Sequence, residues 1–218
     1  MVEIEPPAVT IVWACRQGVD AYAAAGRGVQ VPRPRCPACA RSMIFWSGYW
    51  RFTRAVGRRC WVKRARCTSC AVSHALLPSF ALVRRLDEVR VVMRALAGVV
   101  SGRGMRPLAR ELDVPHETLR GWRRRYRGRS PTLAAGFAAL AVALGGVGPE
   151  LSGEPEWAGL EALGAAWWQA RRRFGDEVPA VFEFASVVSG GELLGTTTSP
   201  PWAGLGRTAL MPPVPVGS

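Results

Sequence analysis

Cys36-Pro37-Ala38-Cys39 and Cys67-Thr68-Ser69-Cys70 decide how this chain is read. The two Cys-x-x-Cys turns are separated by 27 residues. Each turn lets two thiolates approach one ion at about 2.3 Å, so Cys36, Cys39, Cys67 and Cys70 can close a tetrahedral four-sulfur site of the structural Zn²⁺ kind. A small β module with little core of its own gains folding free energy from such a metal. Cys60 and His74 are alternative ligands, and Cys15 has no obvious partner. Buried free thiols or a redox dithiol compete with the metal.

Between the turns lie Met43-Ile44-Phe45-Trp46, Tyr49-Trp50-Arg51-Phe52 and Trp61-Val62-Lys63-Arg64-Ala65-Arg66. These aromatic and β-branched runs, broken by Ser47-Gly48 and Gly57, predict short antiparallel strands, the layout of a zinc ribbon over 36–83. His74–Phe80 reads as an apolar connector docking the ribbon onto the next unit. Upstream, the run Val9–Trp13 predicts a strand, and Val31-Pro32-Arg33-Pro34-Arg35 a linker closing the segment 1–35.

From Arg84 the apolar period changes to that of a helix, with Leu86, Val89, Met93, Leu96 and Val100 on one face and an end near Gly102. A second short helix fits Pro107–Leu112, with Pro107 in its first turn. A third fits His116–Tyr126, and Gly128-Arg129-Ser130-Pro131 closes the unit 84–130. Read as a helix-turn-helix, Ala109 is the small residue where the first helix meets the second, and Leu112 and Val114 bracket the turn. Leu119 and Trp122 anchor the second helix. His116, Glu117, Arg120, Gly121 and Arg124 then face outward from early turns, where side chains reach base edges in a major groove. Arg123, Arg125, Arg127, Arg129 and Arg106 fall near phosphates, and Glu117 is suited to accept from a cytosine amino group.

Charge supports that direction. The chain carries a net charge of +13, unevenly spread. Residues 36–83 hold eight basic side chains and no carboxylate, and 84–130 hold thirteen basic against five acidic. Residues 131–218 reverse the balance, with four basic against eight acidic. A field of this kind attracts a polyanion. Lys63 is the only lysine, and arginine suits bidentate contact with phosphate and guanine. Five arginines within 120–127 would repel one another on an ordinary solvated helical hairpin.

Taken together, the Cys-Pro-Ala-Cys and Cys-Thr-Ser-Cys turns, the His-Ala-Leu-Leu-Pro-Ser-Phe stretch at 74–80 and the segment Arg106–Trp122 resemble one family. It is the N-terminal DNA-binding half of insertion-sequence transposases and the small stand-alone bacterial proteins built the same way. The likeness spans 36–127 and implies binding to the end of a mobile element or a related operator. Asp113 stands where such turns commonly have Gly, and Pro115 where Ser or Thr usually caps the recognition helix.

The resemblance also raises DNA cleavage by three carboxylates holding two metal ions. The acidic residues beyond 130 lie mostly in helical or linker-like sequence with no alternating strands to carry them, so no enzyme is expected. A further helix fits Trp157–Phe174, with Trp157, Leu160, Leu163, Trp167 and Trp168 as its buried side and Arg171-Arg172-Arg173 at its C-terminus. Residues 131–194 form an acidic helical region suited to a protein partner or self-association, and 195–218 a flexible tail. Leu133–Val147 is short for a membrane span. With Glu3 and Glu5 in place of a basic leader, the expected location is cytoplasmic and nucleoid-associated.

The expected fold is therefore mainly α with a small β zinc ribbon, followed by a helix-turn-helix and a helical C-terminal region. The expected activity is sequence-selective binding of double-stranded DNA with Zn²⁺ in a structural role. A transcriptional regulator, or an RNA or protein adaptor using the ribbon, are the alternatives.

Overall fold

The computed structural model describes residues 10–195. About half of the chain is helical, alongside one small four-stranded sheet, so the fold is mixed α/β. The expected tail at 195–218 falls almost wholly outside the described residues, as does Val9.

The sheet consists of β1 (Thr10–Trp13), β2 (Met43–Thr53), β3 (Arg58–Cys67) and β4 (Ser73–Pro78), in the order β1-β4-β3-β2. β4 pairs antiparallel with β3 and parallel with β1. The stretch expected to be a connector is thus the strand that joins the N-terminal segment to the hairpin. Its successive residues Leu76 and Leu77 point to opposite faces and are both buried, so this strand is covered on both sides.

Two of the expected short strands are one. β2 runs unbroken through Ser47-Gly48, and the register against β3 slips between Phe45 and Ser47, leaving Trp46 as the extra residue of a bulge. Gly48 continues the strand because the Trp61 ring lies across it; a Cβ there would come within 2.5 Å of that ring. The turn to β3 passes through Gly57, at φ 56°.

The N-terminal segment is more than a strand and linker. α1 (Val19–Ala25) covers one sheet face, burying Tyr22, whose hydroxyl donates to the Trp61 carbonyl at 2.9 Å. Tyr22 also meets Phe80 edge-on, and Val29 and Val31 are buried in the core. Of the expected linker 31–35, Val31 joins the core while Arg33 and Arg35 stay exposed.

The helix expected from Arg84 begins later, as α2 (Val89–Val100). Arg84 sits at φ 56°, which interrupts any helix there, and Leu86 is 48 % exposed rather than part of the apolar face. Asp87 in this loop is buried against Arg54, at 2.9 Å, bridging the loop to the turn between β2 and β3. α3 (Met105–Glu111) and α4 (His116–Gly145) follow.

α4 does not close at 128–131; it runs for 30 residues through Pro131. A proline inside a helix leaves the carbonyl four residues earlier without its usual N–H. Here that carbonyl belongs to Arg127, and the buried Ser130 hydroxyl donates to it at 3.1 Å. The local stop signal is thereby overridden, and the expected boundary at residue 130 falls inside one helix.

α5 (Pro155–Phe174) lies alongside α4. Tyr126 donates to the Glu156 carbonyl and Gln169 lies against Gly145, so the two helices run in the same direction while 146–154 doubles back. The buried side of α5 is Ala158, Gly159, Ala162, Leu163, Ala166 and Ala170. The expected tryptophan face is corrected: Trp157 is exposed, Trp168 is 58 % exposed, and Trp167 is half-buried with its indole N–H on the Pro179 carbonyl. Small residues win that side because they let two long helices approach closely, which bulky indoles would prevent. α6 (Val181–Val188) returns to the sheet, packing on β1 and α2, with Ser186 Oγ donating to the Ala81 carbonyl at 2.7 Å.

A Cβ on Gly159 would stand 2.6 Å from the Tyr126 hydroxyl. Gly159→Ala should therefore lower the unfolding free energy by about 1–3 kcal/mol in a urea titration, although Ala gains about 1 kcal/mol over Gly in a free helix. A net stabilisation would show that α4 and α5 do not pack this closely.

Candidate metal centre and nucleic-acid interface

The two Cys-x-x-Cys turns lie next to each other because β2 and β3 pair along their whole length. Met43, at the start of β2, sits opposite Cys67, at the end of β3. Both turns have one backbone plan. The residue after the second cysteine is left-handed in each, Ala40 at φ 56° and Ala71 at φ 60°. Each first cysteine donates its backbone N–H across the turn, Cys36 to the Arg41 carbonyl and Cys67 to the Val72 carbonyl, both at 2.9 Å.

The sulfurs of Cys36, Cys39, Cys67 and Cys70 all lie within 4.8 Å of one another. Cys39 and Cys67 are 3.4 Å apart, Cys36 and Cys70 3.6 Å, and Cys39 and Cys70 3.9 Å. Four sulfurs each 2.3 Å from a central ion would define a tetrahedron with edges of about 3.8 Å, so the cluster matches a metal site in size. Backbone N–H groups of Cys70 and Ser69 point at the Cys67 sulfur and hold its thiol down at about 6, whereas burial and the neighbouring thiols push Cys70 up to about 12. A thiolate is the form that binds metal.

Neither alternative ligand belongs to the cluster. Cys60 lies seven residues back along β3, accepting from the Thr53 hydroxyl at 3.5 Å. His74 is buried on β4 with its Nε2 3.8 Å from the Cys36 sulfur, against a ligand rather than in place of one.

The second site is the junction of α3 and α4. The turn 112–115 carries Asp113 at φ 50°, the left-handed geometry that its short polar side chain tolerates. Val114 N–H closes the turn on the Ala109 carbonyl at 3.0 Å. Pro115 occupies the cap position with no side-chain bond, and its carbonyl accepts from Thr118 and Leu119. Ala109, Val114, Leu119, Trp122 and Tyr126 are buried, fixing both helices to α2 and α5.

That packing leaves Glu117, Arg120 and Arg124 exposed, with His116 and Gly121 half-buried beside them. Glu117 is engaged by Arg120, whose guanidinium reaches both carboxylate oxygens at 3.0 Å. The expected phosphate-contacting arginines do not form one group. Arg106 is exposed and lines a shallow concavity with Arg110, Val114 and His116. Arg123 and Arg127 instead approach Glu156 of α5, at 3.8 and 3.7 Å. Arg129 is pressed into the helical body, where burial lowers its pKa, and burial lowers that of Arg85 too, with the nearby Arg125 guanidinium adding to the effect. Arg110 was not among the residues expected from sequence; its spacing of four from Arg106 on α3 was the available signal.

No family model, curated protein or solved structure matches this chain. No described helix is long and apolar enough to cross a membrane, and Leu133–Val147 mostly continues α4 against α5.

Burial pushes the Cys15 thiol up to about 11, apart from the cluster. A free thiol reaches its full alkylation rate above its usual pKa of about 8.5. In the native protein the iodoacetamide rate at Cys15 should still climb roughly tenfold between pH 9 and pH 10, because only the thiolate reacts. A rise of less than about twofold over that interval, measured by mass spectrometry and as expected for an ordinary thiol, would contradict this environment.

Proposed function

We propose that this chain is a sequence-selective double-stranded DNA-binding protein, in which a structural zinc ribbon supports a helix-turn-helix formed by α3 and α4, and that it is associated with a mobile element. One observation carries the reading. The exposed start of α4 presents Glu117, Arg120 and Arg124 beside Arg106 and Arg110 of α3, on a helix whose opposite side is locked by Leu119, Trp122 and Tyr126. A rigid helix with a cationic leading face is what enters a major groove.

Zn²⁺ suits four thiolates, and Cys36, Cys39, Cys67 and Cys70 would hold it. Bound there, it supplies folding free energy by cross-linking the two ends of the β2–β3 hairpin. The protein's own groups do the recognition. The Glu117–Arg120 pair is 75 % and 57 % exposed, and such pairs contribute only about 0–1 kcal/mol, so it opens readily. Arg120 is then free to reach guanine O6 and N7, and Glu117 to accept from a cytosine amino group. Arg106, Arg110 and Arg124 meet phosphates or neighbouring bases, while the charge of Arg123 and Arg127 is partly offset by Glu156. The transposase-like order of modules supports the mobile-element role, and the role is one of binding, without catalysis.

Selection of bound fragments from a random duplex library, with zinc present, should enrich one motif, and that motif should fall at the ends of a mobile element. Enrichment at promoters would instead make this a transcriptional regulator, and binding without enrichment would sink selective readout. On the selected site Arg120→Ala should cost about 1–3 kcal/mol, with little change on random DNA. An equal loss on both would count against base reading. Metal analysis should give one zinc per chain, lost in Cys67→Ser while the α2–α4 circular-dichroism signal largely survives. Full zinc retention would rule out the four-cysteine site.

A further inference from the structure

We infer that one face of the β2–β3 hairpin is a second nucleic-acid surface, taking unpaired single-stranded DNA by stacking its bases on aromatic rings. Residues directly opposite in an antiparallel pair share a face. Phe45 sits opposite Ala65, Trp50 opposite Trp61 and Phe52 opposite Arg59, with Gly48 opposite Lys63 between them. One face therefore carries Phe45, Trp50, Trp61 and Phe52. Trp50 and Trp61 meet edge-on with centroids 5.1 Å apart, and Trp50 and Phe52 remain 42 % and 43 % exposed.

Cations are set among these rings. Lys63 and Arg33 lie over Phe45 at 5.0 and 5.4 Å, and Arg27 over Trp61 at 4.9 Å. Phe45 and Trp61 are half-buried beneath these cations, so the open platforms are Trp50 and Phe52, whose β3 partners Trp61 and Arg59 are two residues apart and place them about 7 Å from each other. Rings exposed on a sheet face can stack only on bases that are not already stacked in a duplex, and a cationic track then holds the backbone. Apolar side chains this exposed on an edge strand are otherwise a liability.

The same edge could pair with a second copy of this chain, but charge argues against it. Residues 43–67 hold seven basic side chains and no carboxylate, so two such hairpins repel while a polyanion is attracted. The choice of DNA over RNA rests on the function proposed above; the stacking surface does not.

The test is fluorescence anisotropy of labelled oligo-dT with the full-length, zinc-loaded protein. Trp50→Ala and Phe52→Ala should each weaken oligo-dT binding roughly tenfold or more, with duplex affinity unchanged. Phe52→Leu, which keeps apolar bulk without the ring, should behave like Phe52→Ala and guards against a folding defect. Arg120→Ala should leave oligo-dT binding intact, so failure of the duplex reading and of this one are separable. Absence of wild-type oligo-dT binding, or equal losses on single strand and duplex, would overturn the inference. Tighter binding of oligo-U would overturn the choice of DNA. A dimer lost in Trp50→Ala with oligo-dT binding unchanged would assign the face to a second copy.

Discussion

The convergence of four sulfurs at one end of the β2–β3 hairpin is the constraint on which the rest of the sheet depends. Cys36 and Cys39 enter β2, and Cys67 and Cys70 lead from β3 into β4. Holding those sulfurs within 4.8 Å fixes the hairpin register at its open end, where a one-residue slip would send each side chain to the other face. The register in turn sets Tyr22 under the Trp61 carbonyl and delivers β4 between β3 and β1. Both turns carry alanine in a left-handed conformation, a cost of about 1–2 kcal/mol each that the sulfur cluster and the paired backbone must offset.

α4 is the second organising element, because it belongs to two environments. Its first turns expose arginine and glutamate, while its last two-thirds are clasped by the small-residue face of α5. The Ser130 hydroxyl on the Arg127 carbonyl makes that continuity possible across Pro131. A rigid rod therefore connects the exposed basic face to the helical body, and α6 carries that body back to β1. Displacing α5 would loosen the seat of Trp122 and Tyr126, so the acidic half of the chain positions the basic half.

Electrostatics follow the same division. The carboxylate-free hairpin is tied to the helical body through Arg54 and Asp87, and Arg51 donates to the Leu82 and Arg85 carbonyls. Burial lowers the Arg51 pKa and raises that of Asp87, against which the neighbouring Arg54 acts. Glu156 draws Arg123 and Arg127 to α5. Exposed arginines nonetheless remain at the start of α4 and along the hairpin, on separate elements.

Spacing and period in the sequence alone determined the grouping of the four cysteines, the β character of the aromatic runs between them, and the burial of Leu119 and Trp122. These are local signals, each complete within a few residues. Tertiary structure decided what local signals misstate. Pro131 reads as a stop until Ser130 satisfies the freed carbonyl, and the tryptophans of α5 read as core until close approach to α4 demands alanine and glycine there. His74–Phe80 reads as a connector until β1, more than sixty residues earlier, pairs beside it. The dispersal of Arg123, Arg127 and Arg129 away from the exposed face likewise came from partners distant in sequence, Glu156 and the surrounding helical body. Periodicity shows that a residue has a side; only packing between elements far apart in the chain decides what lies on it.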